Sequence, residues 1–269
     1  SKIIQVLSKI EYLNHIIIGL DRASEEQYKH AKEFFSHLNQ SHSILWNDGP
    51  RLSSLDKHLK SQNLSPNQSG KGKNVWYCMG YTLARDQAKS VALHDCDILT
   101  YSKEFIARLV YPVSNPLFDY EFCKGYYPRV GDNKLNGRVS RLLVTPLLKT
   151  FTKVLGHRDL IEFIDVFRYP LAGDCSFKSR LLKEIRIPSD WGLEIGLLSE
   201  MQRSQANKKI CQVDIAKMYD HKHQPLSEED SNKGLSRMSI DISKTLIRKL
   251  AAQGDTFTHN TLRTIKATY

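Results

Sequence analysis

Two carboxylates one residue apart, Asp95 and Asp97, follow the apolar run Val91-Ala92-Leu93. A run of this kind, entered from a helical pattern, predicts a buried parallel strand. Its polar end is then the carboxyl end, where open α/β sheets place their ligands. Carboxylates at that position are costly unless they are paired or hold a metal. A divalent cation shared with a diphosphate would meet the cost, because Mg²⁺ is usually held by one or two carboxylates plus substrate phosphates. The plain alternative is a strand end that opens into a solvated turn.

Further residues invite chemistry. Gly70-Lys71-Gly72-Lys73-Asn74 stands just before a helical pattern, where glycines let a backbone approach a phosphate and a helix N-terminus favours an anion. The spacing is not that of a Walker loop, and a flexible basic loop is the alternative. Asp220-His221-Lys222-His223 follows a strand pattern, and histidines at i and i+2 of an extended segment share a side. One imidazole could complete a metal site begun by Asp95 and Asp97; a solvated polar loop is the rival. His94 reads as a packed strand residue. Glu194 falls in the first turn of a helix, ordinary chemistry for a helix dipole. Arg138 and Ser140 flank Val139, and on a strand they would share a face and could grip a phosphate or carboxylate.

The elements that must position these groups alternate. Residues 2–13 have helical spacing. His15 to Leu20 is a short strand ending at the acid Asp21, and Ser24 with Gln27 opens a helix over 25–38 as a capping box. Residues 43–46 form a second strand, closed by the turn Asn47-Asp48-Gly49-Pro50. Residues 61–73 read as a loop, and a helix over about 74–88 leads to the strand 91–97. Strand, helix, strand, helix, strand predicts a parallel α/β sheet with right-handed crossovers. Beyond it, 101–109 is helical, 118–127 strand-like with 138–144 as a possible partner, 146–155 helical, 170–173 a loop, 193–203 helical and 211–215 a strand. The tail 234–252 is helical up to Gly254.

The 269 residues are 41% hydrophobic and 25% charged, the balance of a globular chain. No apolar run approaches a membrane span. Five cysteines are scattered and odd in number, which predicts reduced thiols in the cytoplasm and no disulfide framework or zinc ribbon. The net charge of +10 invites anionic partners. Without an arginine-rich run or a nucleic-acid-binding motif, two phosphorylated small molecules fit better than nucleic acid. Both ends fall inside helical patterns, so the ends are expected to be cut.

Taken together, GKGKN 70–74, VALHDCD 91–97, NGRVSRL 136–142, PLAGD 170–174, SDWGLEIGLLSE 189–200 and VDIAKMYDHKHQPLS 213–227 resemble glucosyl-3-phosphoglycerate synthases. These are retaining glycosyltransferases of family 81, related to mannosyl-3-phosphoglycerate synthases, and the likeness spans about residues 10–269. The resemblance implies an α/β GT-A fold, a Rossmann-like, mostly parallel sheet flanked by helices, with a C-terminal helical extension. It implies a nucleotide-sugar half over 1–100, an acceptor half over 101–230 and a helical segment over 231–269. A strand and loop that hold the uracil ring are expected before residue 1, so the sheet here is expected to lack its first strand.

By the same resemblance, Asp95, Asp97 and His221 hold a divalent metal, Mg²⁺ or Mn²⁺. Lys71, Asp95, Gly173, Trp191 and Asp21 serve the nucleotide sugar, Arg138, Ser140 and His223 bind the acceptor, and Glu194 is the catalytic carboxylate. Ser140 stands for a more usual threonine, His223 for an asparagine and Asp174 for a glutamate. The implied reaction moves glucose from UDP- or GDP-glucose to 3-phosphoglycerate with retention, in a cytoplasmic homodimer without nucleic-acid or membrane partners. Transfer of mannose, nucleotidyl transfer and silent binding of a sugar nucleotide are the alternatives, as are a front-face and a covalent route.

Overall fold

β-Branched Ile16-Ile17-Ile18 favours extended backbone. In the computed structural model, which describes residues 2–66, 68–131, 134–217, 219 and 234–269, it forms a strand that follows helix α1 (Lys2–Leu7). That strand, β1 (Ile16–Leu20), pairs in parallel with β2 (His42–Trp46) across α2 (Glu25–Phe35). The capping box at the start of α2 is closed in both directions: Gln27 N–H donates to Ser24 Oγ, and Ser24 N–H to Gln27 Oε1. The Asn47–Pro50 turn is also a helix start. Gly49 is the N-cap and Pro50 the first residue of α3 (Pro50–Ser61), a position where proline's missing N–H costs nothing. No residue of α3 is buried, so no apolar stripe announced it.

The chain continues through α4 (Lys71–Arg85), β3 (Ser90–Leu93), α5 (Lys103–Ser114) and β4 (Phe122–Tyr126). A two-residue antiparallel ladder follows, β5 (Val130–Gly131) with β6 (Lys134–Leu135). After α6 (Thr145–Leu155) come α7 (Asp159–Asp165), β7 (Cys175–Lys178), α8 (Leu193–Ser204), β8 (Ile210–Asp214), α9 (Gly234–Ala252) and α10 (His259–Thr268). Asp56 of α3 accepts hydrogen bonds from Tyr77 and Ser65 and pairs with Lys73 at 2.9 Å, tying α3 to α4.

The principal sheet has the order β3-β7-β4-β8, and β1 and β2 pair apart from it; β3, expected to run parallel in one sheet with them, instead pairs antiparallel with β7. β4 and β8 run parallel, while β7 lies antiparallel to both of its neighbours. Strand alternation divides the side chains between two cores. Phe122, Cys175 and Phe177, with Val91 and Leu93, pack toward α6, α7, α8 and α9. Cys123 and Ala92 pack with Phe105, Leu109 and Val113 of α5 and with Tyr127 and Tyr219. The sheet is therefore covered on both faces.

The segment expected as a strand over 138–144 is helical: Ser140–Val144 forms a π-helical turn that runs into α6. Val139, Val144 and Leu147 pack into the main core, a spacing that suits a helix and not a strand. No helix among the described residues is long and apolar enough to cross a membrane.

Candidate active site

Because Asp95 lies two residues beyond Leu93, it faces the same side of the sheet as Val91 and Leu93, toward α4 and α8. Lys71, the first residue of α4, meets it there, with Nζ 2.6 Å from Asp95 Oδ1 and 2.8 Å from Glu194 Oε1. Glu194, in the first turn of α8, is only 4% exposed. Its Oε2 is buried and has no hydrogen-bond partner among the described residues. Burial alone would lower the Lys71 pKa, but Asp95 and Glu194 outweigh it and hold the ammonium well above the usual lysine range. Lys71 is thus a fixed cation joining two carboxylates from different elements.

Glycines permit this convergence. A Cβ on Gly72 would lie 1.9 Å from the Pro188 carbonyl oxygen, so only glycine lets α4 rest on the loop before α8. The backbone N–H groups of Gly72 and Lys73 donate to Asp190 and Ser189 carbonyls in that loop. The glycine-rich start of α4 therefore docks on protein, and Lys71 offers its side chain to the site. A Cβ on Gly173 would lie 2.5 Å from Asp95 Oδ2, so the 170–173 loop forms the seat of that carboxylate. Under the seat, Lys124 of β4 is 1% exposed and donates to the Ala172 carbonyl at 2.5 Å. Burial pushes its pKa down.

Asp21 stands at the carboxyl end of β1, beside the same helix. Asn47 Nδ2 donates to Asp21 Oδ1 at 3.2 Å and to Asn74 Oδ1 at 3.1 Å, and Asn74 lies one turn along α4 from Lys71. Trp191 is half-buried just before α8.

Next to the carboxylates is a cavity of about 200 Å³ lined by Arg129, Arg141, Arg168 and Ser140, with Tyr127 and Tyr169 in its wall. Arg129 donates to Tyr169 OH at 2.7 Å, yet its Nε and the Ser140 Oγ are buried without partners among the described residues. Tyr169 lies close enough to Asp95 and Glu194 to feel their charge, which adds to burial in raising its pKa. Three guanidiniums against a single acid, Asp165, give this cavity a charge that suits an anion.

The structure brings together Lys71, Asp95, Gly173 and Glu194, and places Ser140 in the cavity. Arg138 is exposed and does not line it. The expectation that Arg138 and Ser140 share a face rested on a strand; successive helical residues are turned by about 100°, so two residues apart they diverge. His221 and His223 lie outside the described residues. Asp95 and Asp97 are hard oxygen donors that suit Mg²⁺ or Mn²⁺, and the Asp95 carboxylate rests against Gly173, where a Cβ would displace it. Among the described residues no group of three or more His, Cys, Asp or Glu could hold a metal. Arg129, Arg168 and Arg141 were missed by sequence reasoning, as were Asn47 and Asn74; the only signal was aromatic-arginine pairing in Tyr127-Pro128-Arg129 and Arg168-Tyr169.

Comparison with known proteins decides the family. The chain is 44% identical over 268 residues to glucosyl-3-phosphoglycerate synthase of Persephonella marina, covering all of this chain and 66% of that protein. The chain belongs to the glucosyl-3-phosphoglycerate synthase family. It spans just under two thirds of the length of that curated relative. No protein-family profile matches the chain. Among solved structures, mannosyl-3-phosphoglycerate synthase from Rubrobacter xylanophilus superposes with a TM-score of 0.66 at 20% identity, covering 96% of this chain and 71% of that one. Glucosyl-3-phosphoglycerate synthase from Mycobacterium tuberculosis in complex with Mn²⁺, UDP and glucosyl-3-phosphoglycerate superposes with a TM-score of 0.63 at 22% identity, covering 92% and 73%. The shared fold is the GT-A fold, as the family resemblance implied.

Proposed function

We propose that this glucosyl-3-phosphoglycerate synthase relative transfers glucose from a nucleoside diphosphate glucose to 3-phosphoglycerate with retention. The observation that carries the reading is the Lys71 bridge between Asp95 and Glu194 beside a three-arginine cavity. A cationic pivot next to paired acids suits a diphosphate with its metal, and the arginines suit a phosphorylated, carboxylate-bearing acceptor. The Mn²⁺ and UDP bound by the M. tuberculosis protein support a metal-dependent donor site.

In this reading Asp95 and Asp97, with His221, hold Mg²⁺ or Mn²⁺, which when bound supplies Lewis-acid stabilisation of the departing diphosphate. Lys71 would supply positive charge to the diphosphate. Asp21, with Asn47 and Asn74, borders the nucleoside, and Gly173 and Trp191 border the sugar. Ser140, Arg129, Arg141 and Arg168 hold the acceptor anions, with Arg138 and His223 assigned to the acceptor by family resemblance. Glu194 orients sugar or acceptor hydroxyls. Residues 1–100 serve the donor, 101–230 the acceptor, and 231–269 are a helical extension. We place the protein in the cytoplasm as a homodimer; five free thiols fit a reducing compartment.

The test is nucleoside diphosphate release from UDP-glucose and Mn²⁺, with and without 3-phosphoglycerate, repeated with GDP-glucose and GDP-mannose. Release that requires 3-phosphoglycerate is expected. Equal release without it, or none with any donor, would overturn the reading.

A further inference from the structure

The β3–β7 pairing runs antiparallel from Ser90 opposite Lys178 to Leu93 opposite Cys175. Carried one step further, that register sets His94 against Asp174, and a second step sets Asp95 against Gly173. The first is a contact between side chains, the second a carboxylate against a glycine backbone. His94 Nδ1 lies 2.5 Å from Asp174 Oδ1, and Gly173 is the seat of the Asp95 carboxylate.

Asp174 is 0% exposed. Its second oxygen accepts from Tyr219 OH at 2.9 Å, and Tyr219 stacks on Tyr127 with ring centroids 3.6 Å apart. The Asp174 backbone carbonyl accepts from Gly125 N–H of β4 at 2.9 Å. Burying a carboxylate against a histidine and a tyrosine is a poor way to gain stability, since apolar residues of similar volume often serve as well or better. Such a group is better explained by the geometry it imposes. A slip of one residue turns every side chain of a strand to the opposite face, and strand ends are where pairing frays.

We propose that the His94–Asp174 pair is a positioning device. It extends the β3–β7 register past the last backbone pair and so keeps Asp95 aimed at Lys71 and Glu194. His94 and Asp95 alternate across the sheet: one faces the α5 side and locks, the other faces the α8 side and binds. Asp174 touches no substrate in this scheme; it acts through His94 on one side and Gly173 on the other. The inference rests on the reading of Asp95 as a ligand of the donor's metal.

The test measures Mn²⁺ binding in the presence of UDP, without turnover, by the electron paramagnetic resonance signal of free Mn²⁺. Asp174→Asn weakens the charge on the pair, and His94→Leu keeps bulk while removing the imidazole. Residues that orient a metal ligand typically change metal affinity 10–100-fold, so the Mn²⁺ Kd should rise about tenfold while the 3-phosphoglycerate Kd, measured without metal, stays within about twofold. Folding is checked by circular dichroism. If Asp174→Asn does not fold, His94→Leu decides, because it leaves Asp174 bonded to Tyr219. An unchanged Mn²⁺ Kd in a folded variant would overturn the inference, and so would an equal loss of 3-phosphoglycerate affinity, which would mark a general loosening. A wild-type protein that fails to bind Mn²⁺ with UDP would overturn the donor-site reading as well.

Discussion

Glu194 has one carboxylate oxygen on Lys71 and the other buried without a partner among the described residues. Because Lys71 holds Glu194 in place and no metal contact is assigned to it, Glu194→Gln should keep the fold and lower kcat by less than loss of a metal ligand does. Asp97→Ala should abolish transfer, and His221→Ala should impair it similarly; initial rates with saturating Mn²⁺ compare the three. A Glu194→Gln enzyme with unchanged kcat and KM would remove that residue from the site. For the acceptor, a charge-assisted contact contributes about 1.5–3 kcal/mol, so Arg129→Ala should raise the 3-phosphoglycerate KM about 10- to 150-fold and leave the donor KM nearly unchanged. Arg138→Ala, at an exposed position, should raise it only about threefold. Lys71, Asp95, Gly173 and Glu194, which converge in the structure, were singled out through the family resemblance of their motifs. Arg129 and Arg168 were not, because a lone arginine beside an aromatic residue looks the same on any surface.

The elements converge through close backbone approach, and two glycines should respond differently to the same added methyl. At Gly72 the obstacle is the Pro188 carbonyl, part of the backbone. Gly72→Ala must push α4 off the loop before α8 and should destabilise the protein by about 1–3 kcal/mol, measured by urea unfolding. At Gly173 the obstacle is the end of the Asp95 side chain, which can swing away. Gly173→Ala should leave the unfolding midpoint nearly unchanged and weaken Mn²⁺ and donor binding. The helices with an apolar stripe, such as α9, were visible from periodicity. The turn at residue 138 was not, since Val-Ser-Arg imitates strand alternation until Leu142-Leu143-Val144 breaks it. Nor was α3, which buries nothing.

Across the whole molecule, α8 and α9 are fastened by Glu200, a 3%-exposed carboxylate bonded to Lys249, Arg203 and the Arg186 N–H. Burial pushes its pKa up, but the two cations and the amide outweigh burial and hold it below the usual glutamate range. A carboxylate with a lowered folded-state pKa stabilises above its unfolded value of about 4.3, and that contribution is lost as pH falls through the folded value. Glu200→Gln should therefore cost about 1.5–3 kcal/mol near neutral pH. Urea midpoints should show the gap to wild type narrowing below about pH 4. An α/β layered fold was legible from alternating strand and helix patterns. The reversal of β7 was not, because a four-residue strand carries no mark of its direction.

That reversed strand also imposes an order in time. β7 pairs Phe177 with Val91 on one side and with Phe122 on the other, so β3 and β4 share a sheet only through it. As the chain leaves the ribosome, β3 and β4 emerge long before their common partner and wait with unpaired edges. Such long-range pairing folds slowly and exposes aggregation-prone edges in the interval. Nascent chains arrested before Cys175 should remain protease-sensitive throughout β3 and β4, and resistance should appear only once β7 has cleared the exit tunnel.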